Sequence, residues 1–408
     1  GTAIQDQCGN CDNDPTNDDS TCFDLGCAAA TQWSADPSFD QCSCAGPTHS
    51  YLDEIDSDGY YVIKTAQQLL DYSIYGCSLN CYQSTGACGL NMRLANTIDL
   101  SGIANFPPIG QNAAQDQGSM KTGFLGIFDG AGFAIDNLTI NTTNVFTGLF
   151  LGIQGKVENL ILNNPSVSGG WKETGALAGR VNTGEVVSVV VNGGSVSGIE
   201  DVGGLVGYMY RASLRQSRAS VDVVGQTRVG GLVGQLNQGL VEQSSAHGNV
   251  DHSLQDPSQQ FTTKRDSSGG LVGFIWSGDD RGRIVDSYTT STISRSYTGL
   301  SRMGGLVGTN NEGAITRTLA LGQVELGVGD ALIGDDNDGI YVDNYWGYDP
   351  ANSNFATGIP TSLVQGAGNA EALDSGEMQT TTSFSGWDFV TTWLPSNSLP
   401  LVTFPTLR

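Results

Sequence analysis

The sequence predicts an all-β fold, a parallel β-helix with about 27 residues per coil. Three observations point to it. A glycine-bracketed aliphatic pentad recurs at near-constant spacing. Glycine makes up 56 of 408 residues without a triplet period, which calls for many turns rather than collagen. Short β-rich pieces fill the intervals, too closely punctuated for helices.

The pentads are Gly148-Leu-Phe-Leu-Gly152, Gly175-Ala-Leu-Ala-Gly179, Gly203-Gly-Leu-Val-Gly207, Gly230-Gly-Leu-Val-Gly234, Gly269-Gly-Leu-Val-Gly273 and Gly304-Gly-Leu-Val-Gly308, with a degenerate copy at Asp330-Ala-Leu-Ile-Gly334. Their spacings are 27, 28, 27, 39, 35 and 26 residues. One coil cannot bury its own Leu and Val, but coils stacked ~4.8 Å apart bury them and pair every backbone group. Leu205, Leu232, Leu271 and Leu306 are therefore expected to form an inward ladder of core residues. The bracketing glycines are expected at corners needing positive φ or close backbone approach. The surplus in the two long coils falls at 251–268 and at 278–283 or 294–302, where solenoid loops emerge.

Four segments follow in order. Residues 1–60 hold 12 acids and no base and read as a Cys/Asp-rich module. All nine cysteines come early: Cys8, Cys11, Cys22, Cys27, Cys42, Cys44, Cys77, Cys81 and Cys88. Such clustering reads as a disulfide framework from an oxidising compartment, with one thiol left free or shared with another chain. The competing zinc reading has only Cys8-Gly-Asn-Cys11, with no matched second pair. Residues 61–91 read as an N-terminal cap, in which Thr65 and Gln68 could form a capping box for a short amphipathic helix. Residues 92–345 are the β-helix. Residues 346–408 lose the repeat, carry Trp346, Trp387 and Trp393, and read as a C-terminal cap.

Two sequons, at Asn137 and Asn141, lie in an alternating stretch. Leu138 and Ile140 share its inner face and the asparagines share the outer one, where glycans could be carried.

The order of these motifs resembles the GLUG-repeat family of secreted surface proteins. The likeness runs from Tyr61-Val-Ile-Lys-Thr-Ala-Gln-Gln-Leu69 through the pentads to Asn344-Tyr-Trp346 and Phe384-Ser-Gly-Trp-Asp-Phe389. It covers roughly residues 60–408. It implies a right-handed β-helix in an extracellular setting, and it implies no reaction. The first 60 residues depart from that pattern and are similar to short Cys/Asp-rich extracellular repeats, some of which bind calcium.

Net charge is −24, with 42 acidic and 18 basic residues, which excludes a general nucleic-acid binder. No run is long and apolar enough for a membrane span. Asp12, Asp14, Asn17, Asp18 and Asp19 gather hard oxygen donors. Structural calcium, the one cofactor the composition suggests, and a solvated acidic loop both remain open there. Shorter versions occur at 56–59 and 335–339. Acids on the coils (Asp222, Glu242, Asp286, Glu312) are scattered, so no glycosidase or lyase pairing stands out and no catalytic residue is expected.

The expectation is thus a non-enzymatic extracellular structural glycoprotein at a cell surface. It would be a filament or appendage subunit partnered by copies of itself, its acidic ends meeting a flank that holds ten arginines between Arg211 and Arg317. The alternatives are a monomeric adhesin contacting glycans or other surface proteins, and a β-helix polysaccharide-degrading enzyme.

Overall fold

The computed structural model describes residues 52–76, 89–110, 123–253, 266–296, 302–324, 329–347 and 377–394, with short strand pieces at 4–5, 11–12, 370–373 and 406–407. The expected fold is observed: parallel strands wind into a β-solenoid of about nine turns.

Each coil has four faces, and in some coils the third is split into two strands. In the coil 206–230 the strands are Val206–Tyr210 on the first face, Ser213–Arg215 on the second, Arg218–Gly225 on the third and Thr227–Gly230 on the fourth. Each pairs in parallel with its counterpart one coil on: Val206 with Val233, Ser213 with Leu240, Arg218 with Ser245, and Val229 with Ser268. The strands alternate inward apolar and outward polar residues, as in Val206–Tyr210, where Met209 is buried between Tyr208 and Tyr210.

The pentads form the corner between the fourth and first faces. Leu205, Leu232, Leu271 and Leu306 are fully buried, and each N–H donates to the corresponding leucine one coil further on, at 2.9–3.0 Å. Their glycines serve close approach, not unusual φ. A Cβ on Gly204 would stand 2.1 Å from the Gly231 carbonyl, and one on Gly207 would stand 2.5 Å from the Thr174 nitrogen. The first pentad sits one residue out of line with the others, since Gly152 pairs with Arg180 rather than with Gly179.

Two other corners each turn on a single left-handed residue, and these are polar rather than glycine. Between the first and second faces stand Thr183, Arg211, Gln238, Glu312 and Asp338. Between the second and third stand Asn159, Ser188, Gln216, Gln243, Asp286, Arg317 and Asp343. Inside the second of these corners runs a ladder of buried hydroxyls. Ser217 and Ser244 accept the N–H of Val189 and of Ser217 at 3.1 and 3.2 Å, and Ser287 accepts that of Ser244 at 3.2 Å. Each hydroxyl also donates to a carbonyl two residues back in its own coil. The ladder supplies partners for amides that the bends take out of the strand pairing.

The helix Ala66–Tyr75 carries the expected capping box, with Thr65 accepting from the Gln68 amide, and it buries Leu69, Tyr72 and Ser73. Near the other end, Phe384, Trp387 and Trp393 pack on Tyr288, Leu319 and Tyr345, which belong to successive coils. Trp387 and Trp393 stack with ring centres 4.0 Å apart, and the Trp387 indole N–H donates to the Asp343 carbonyl at 3.0 Å. The closing segment therefore clasps the flank of the last coils as well as extending the stack, where Ala370–Leu373 pairs with Asn344–Gly347.

The surplus at 278–283 is also visible. Residues 277–282 replace a two-residue corner, and the Arg281 guanidinium donates to the carbonyl of Glu312 at 2.5 Å. This surplus folds back onto the stack. Most of 251–268 lies outside the described residues.

A candidate binding cleft on the first face

The outer side of the first face carries two columns of side chains in register. One runs Arg180, Tyr208, Gln235, Phe274, Thr309, Asp335. The other runs Asn182, Tyr210, Asn237, Trp276, Asn311, Asn337. Where the columns meet the fourth face, Arg228, Gln235, Asn237, Phe274 and Trp276 line a cavity of about 160 Å3. Phe274 and Trp276 lie nearly parallel, ring centres 6.2 Å apart, with Trp276 41% exposed. The Asn237 amide donates to the Tyr208 hydroxyl at 2.8 Å, and its Oδ1 has no hydrogen-bond partner. A flat ring wall beside paired amides suits a ligand that is apolar on one side and rich in hydroxyls at its edge.

The floor of the cleft is held by buried ion pairs spanning adjacent coils. Arg228 bonds Asp201 through both Nε and Nη2, the latter at 2.9 Å, and reaches Glu200 as well. Burial pushes the Asp201 carboxyl up, while Arg228 opposes that shift. One coil earlier, Arg180 bonds Glu173 through Nε at 2.6 Å and lies between the Phe146 and Tyr208 rings, 5.0 and 4.6 Å from their centres. Burial pushes the Glu173 carboxyl up to about 7, again against the pull of its arginine. These arginines fix the corner between two faces and offer little free charge to an incoming ion.

A second cluster lies on the outer third face. The His247 ring contacts the Thr290 hydroxyl through Nδ1 at 2.7 Å and the Ser245 hydroxyl through Nε2 at 3.1 Å, with the Tyr288 ring edge-on. Burial holds the imidazole down to about 4, so it is neutral at pH 7. The arrangement has a hydroxyl beside a base, but a threonine stands where a carboxylate would orient that base, and Ser245 is buried.

The residues singled out from the sequence are dispersed. Asn141 is exposed and Asn137 half-buried, beside the buried Leu138 and Ile140, and the Asn137 amide donates to Asp99 at 2.9 Å. The motif at 56–59 is closed by Arg93, which bonds Asp56, Asp58 and Asp129 at 2.6–2.9 Å. At 335–339, Asp335 pairs with Arg302 and Asp336 accepts from the Tyr341 hydroxyl. The coil acids do not converge: Asp222 accepts from Asn249, Glu242 from Arg215, and Asp286 from Arg317. Asp14, Asn17, Asp18, Asp19 and every cysteine but Cys11 lie outside the described residues. Cys11 and Asp12 are described by backbone alone, paired antiparallel with Gln5 and Ile4. Among the described residues no three His, Cys, Asp or Glu side chains gather as metal ligands. None of their helices is long and apolar enough to cross a membrane.

Sequence reasoning missed the cleft, although one signal for it was present. In Val272–Trp276 an inward Ile275 is flanked by two outward aromatics, an unusual choice for a solvated face.

No family model matches the chain. A 151-residue stretch, 34% of the chain, is 36% identical to halomucin from Haloquadratum walsbyi (strain DSM 16790 / HBSQ001), of which it spans 2%. Among solved structures, a chain from Bacteroides ovatus named a candidate immunoglobulin A1 protease matches with a TM-score of 0.56. The identity is 16%, over 88% of this chain and 95% of that one. A structure named IgA1 protease matches at 0.49 with 18% identity, over 72% of this chain and 21% of its own. These likenesses extend to the fold. They also correct one expectation: a protein sharing this solenoid is named as a candidate enzyme, so the expectation of a non-enzymatic chain is withdrawn.

Proposed function

We propose that this chain is an extracellular, glycoprotein-like β-solenoid that acts as a stiff structural and adhesive element at a cell surface. The observation that carries the proposal is the unbroken parallel register, which keeps the first-face columns aligned from Arg180 to Asp335. A rod of this kind holds its flank at a fixed geometry without any partner. The kept order of motifs supports reading it as a GLUG-repeat surface protein, and Asn141 is exposed as a glycan carrier should be. The halomucin likeness supports the same setting.

End-to-flank assembly into a filament is less well supported than a monomeric rod. Four of the ten arginines it would use are already held in ion pairs: Arg215 with Glu242, Arg228 with Asp201, Arg302 with Asp335, Arg317 with Asp286. Antibodies against residues 170–345 should label intact source cells, and labelling confined to permeabilised cells would refute the surface role. Sedimentation of the purified chain at high concentration separates the two arrangements.

A second reading, a part in proteolysis, draws on the structural neighbour's name and on the Ser245–His247 contact. Incubation with immunoglobulin A1, followed by electrophoresis, tests it directly.

A further inference from the structure

We infer that the first-face strip built on Tyr210, Asn237 and Trp276 binds a neutral, extended β-linked glycan lying along the solenoid axis. The inference rests on the surface-display reading and names the ligand of that face. Tyr210 and Trp276 occupy one outward column two coils apart, with Asn237 between them. Two coil spacings put their Cα positions ~10 Å apart. An extended β-1,4-linked chain advances by about one disaccharide over that distance, and it presents the same sugar face at every second residue. The two rings therefore meet equivalent faces, while the intervening sugar lies over an amide.

The polar groups agree. Asn237 Oδ1 is buried in the wall of the cleft without a partner, and Gln235 beside it offers its amide to hydroxyls. Trp276 stands 41% exposed with Phe274 stacked behind it, which keeps the ring from collapsing onto the sheet. The two buried arginines offer an acidic polymer little free charge, because Arg228 is neutralised by Asp201 and Glu200, and Arg180 by Glu173. Arg211 lies over one face of the Tyr210 ring, 5.3 Å from its centre, and donates to Gln238 at 2.8 Å, which leaves the opposite face for a sugar.

The test is calorimetric titration of the full chain with cellohexaose and with chitohexaose, using cellobiose and the curled maltohexaose as counter-probes. At least one β-linked hexamer should bind, and cellobiose, too short to span both rings, should bind at least about tenfold more weakly. Trp276→Ala should weaken the hexamer about tenfold and Trp276→Phe should restore part of the loss, whereas Trp171→Ala, at an exposed ring elsewhere, should change nothing. Melting curves for the variants show whether the fold is kept. No binding of either hexamer, equal binding of maltohexaose, or a Trp276→Ala protein that is folded and binds undiminished would each overturn the assignment. If cell-surface labelling holds while the titrations fail, only this inference falls.

Discussion

Gly231→Ala adds one methyl group at a corner where two coils nearly touch. A Cβ on Gly231 would stand 2.2 Å from the Gly270 carbonyl oxygen, 2.9 Å from the Ser291 hydroxyl and 3.0 Å from the Ala246 methyl. The nearest of these is backbone, so the next coil must retreat by about 1 Å to admit the methyl. The bonds closest to the contact are Gly231 N–H to Gly269, Leu232 N–H to Leu271 and Val233 N–H to Leu271, at 3.2, 2.9 and 3.1 Å. Stretching two or three of them forfeits ~1 kcal/mol each, and overpacking adds about 1–3, giving a loss of about 3–6 kcal/mol. Gly102→Ala is the matched control: nothing lies within 4 Å of its Cβ and its φ is ordinary, so it should be neutral or slightly stabilising. Urea titration of the full chain, followed by circular dichroism, compares the two. A Gly231→Ala protein within about 0.5 kcal/mol of the parent would refute the close-approach account of the pentads.

Further outcomes follow from the polar interior. Arg228→Ala strands two acidic partners and should cost about 3–5 kcal/mol, measured by the same titration, with Asp201→Asn/Arg228→Met recovering part of the loss. Ser244→Ala removes the acceptor for the Ser217 amide and should cost about 1–2 kcal/mol, whereas Ser244→Thr should cost less. His252 is fully buried, and burial holds it down to about 4. Its native form stays neutral while the unfolded form takes a proton below about 6.5, so its own contribution to stability falls as pH drops from 6.5 through 4, with His247 acting in the same sense and Glu173 in the opposite one. His252→Gln removes that one contribution, so the gap in thermal midpoint between variant and parent should change between pH 6.5 and 4, and a gap that stays constant would count against the neutral assignment.

The coil architecture was legible because its determinants are local. Gly203-Gly-Leu-Val-Gly207 and its copies mark a corner that repeats in sequence, and Leu138 and Ile140 are both buried as their alternation implied, although a left-handed Asn137 breaks that stretch before the strand Thr139–Asn141. The helix start was equally legible, since Thr65 and Gln68 are three residues apart. The other bends left no mark. Thr183, Arg211, Gln238 and Asp338 are ordinary residues doing the same left-handed job, and no one side chain is required there. The cleft was hidden for a different reason. Asn237 and Trp276 are adjacent in space, but 39 residues apart in a chain whose usual interval is 27, so their juxtaposition depends on a register that only the folded stack displays. The ion pairs behind it, Arg228 with Asp201 among them, are likewise contacts between turns.

The twelve residues 254–265 interrupt the chain without shifting the register on either side of them. Val224 still faces Asp251 before them, and Val229 still faces Ser268 after them. Cargo and frame are thus separable: the stretch between Asn249–His252 and Ser267–Gly269 can be lengthened, shortened or replaced while the bore keeps its width. Foreign peptides spliced there would be anchored at a set height along the stack, between its third and fourth faces, making the seam a natural address for engineering new attachments.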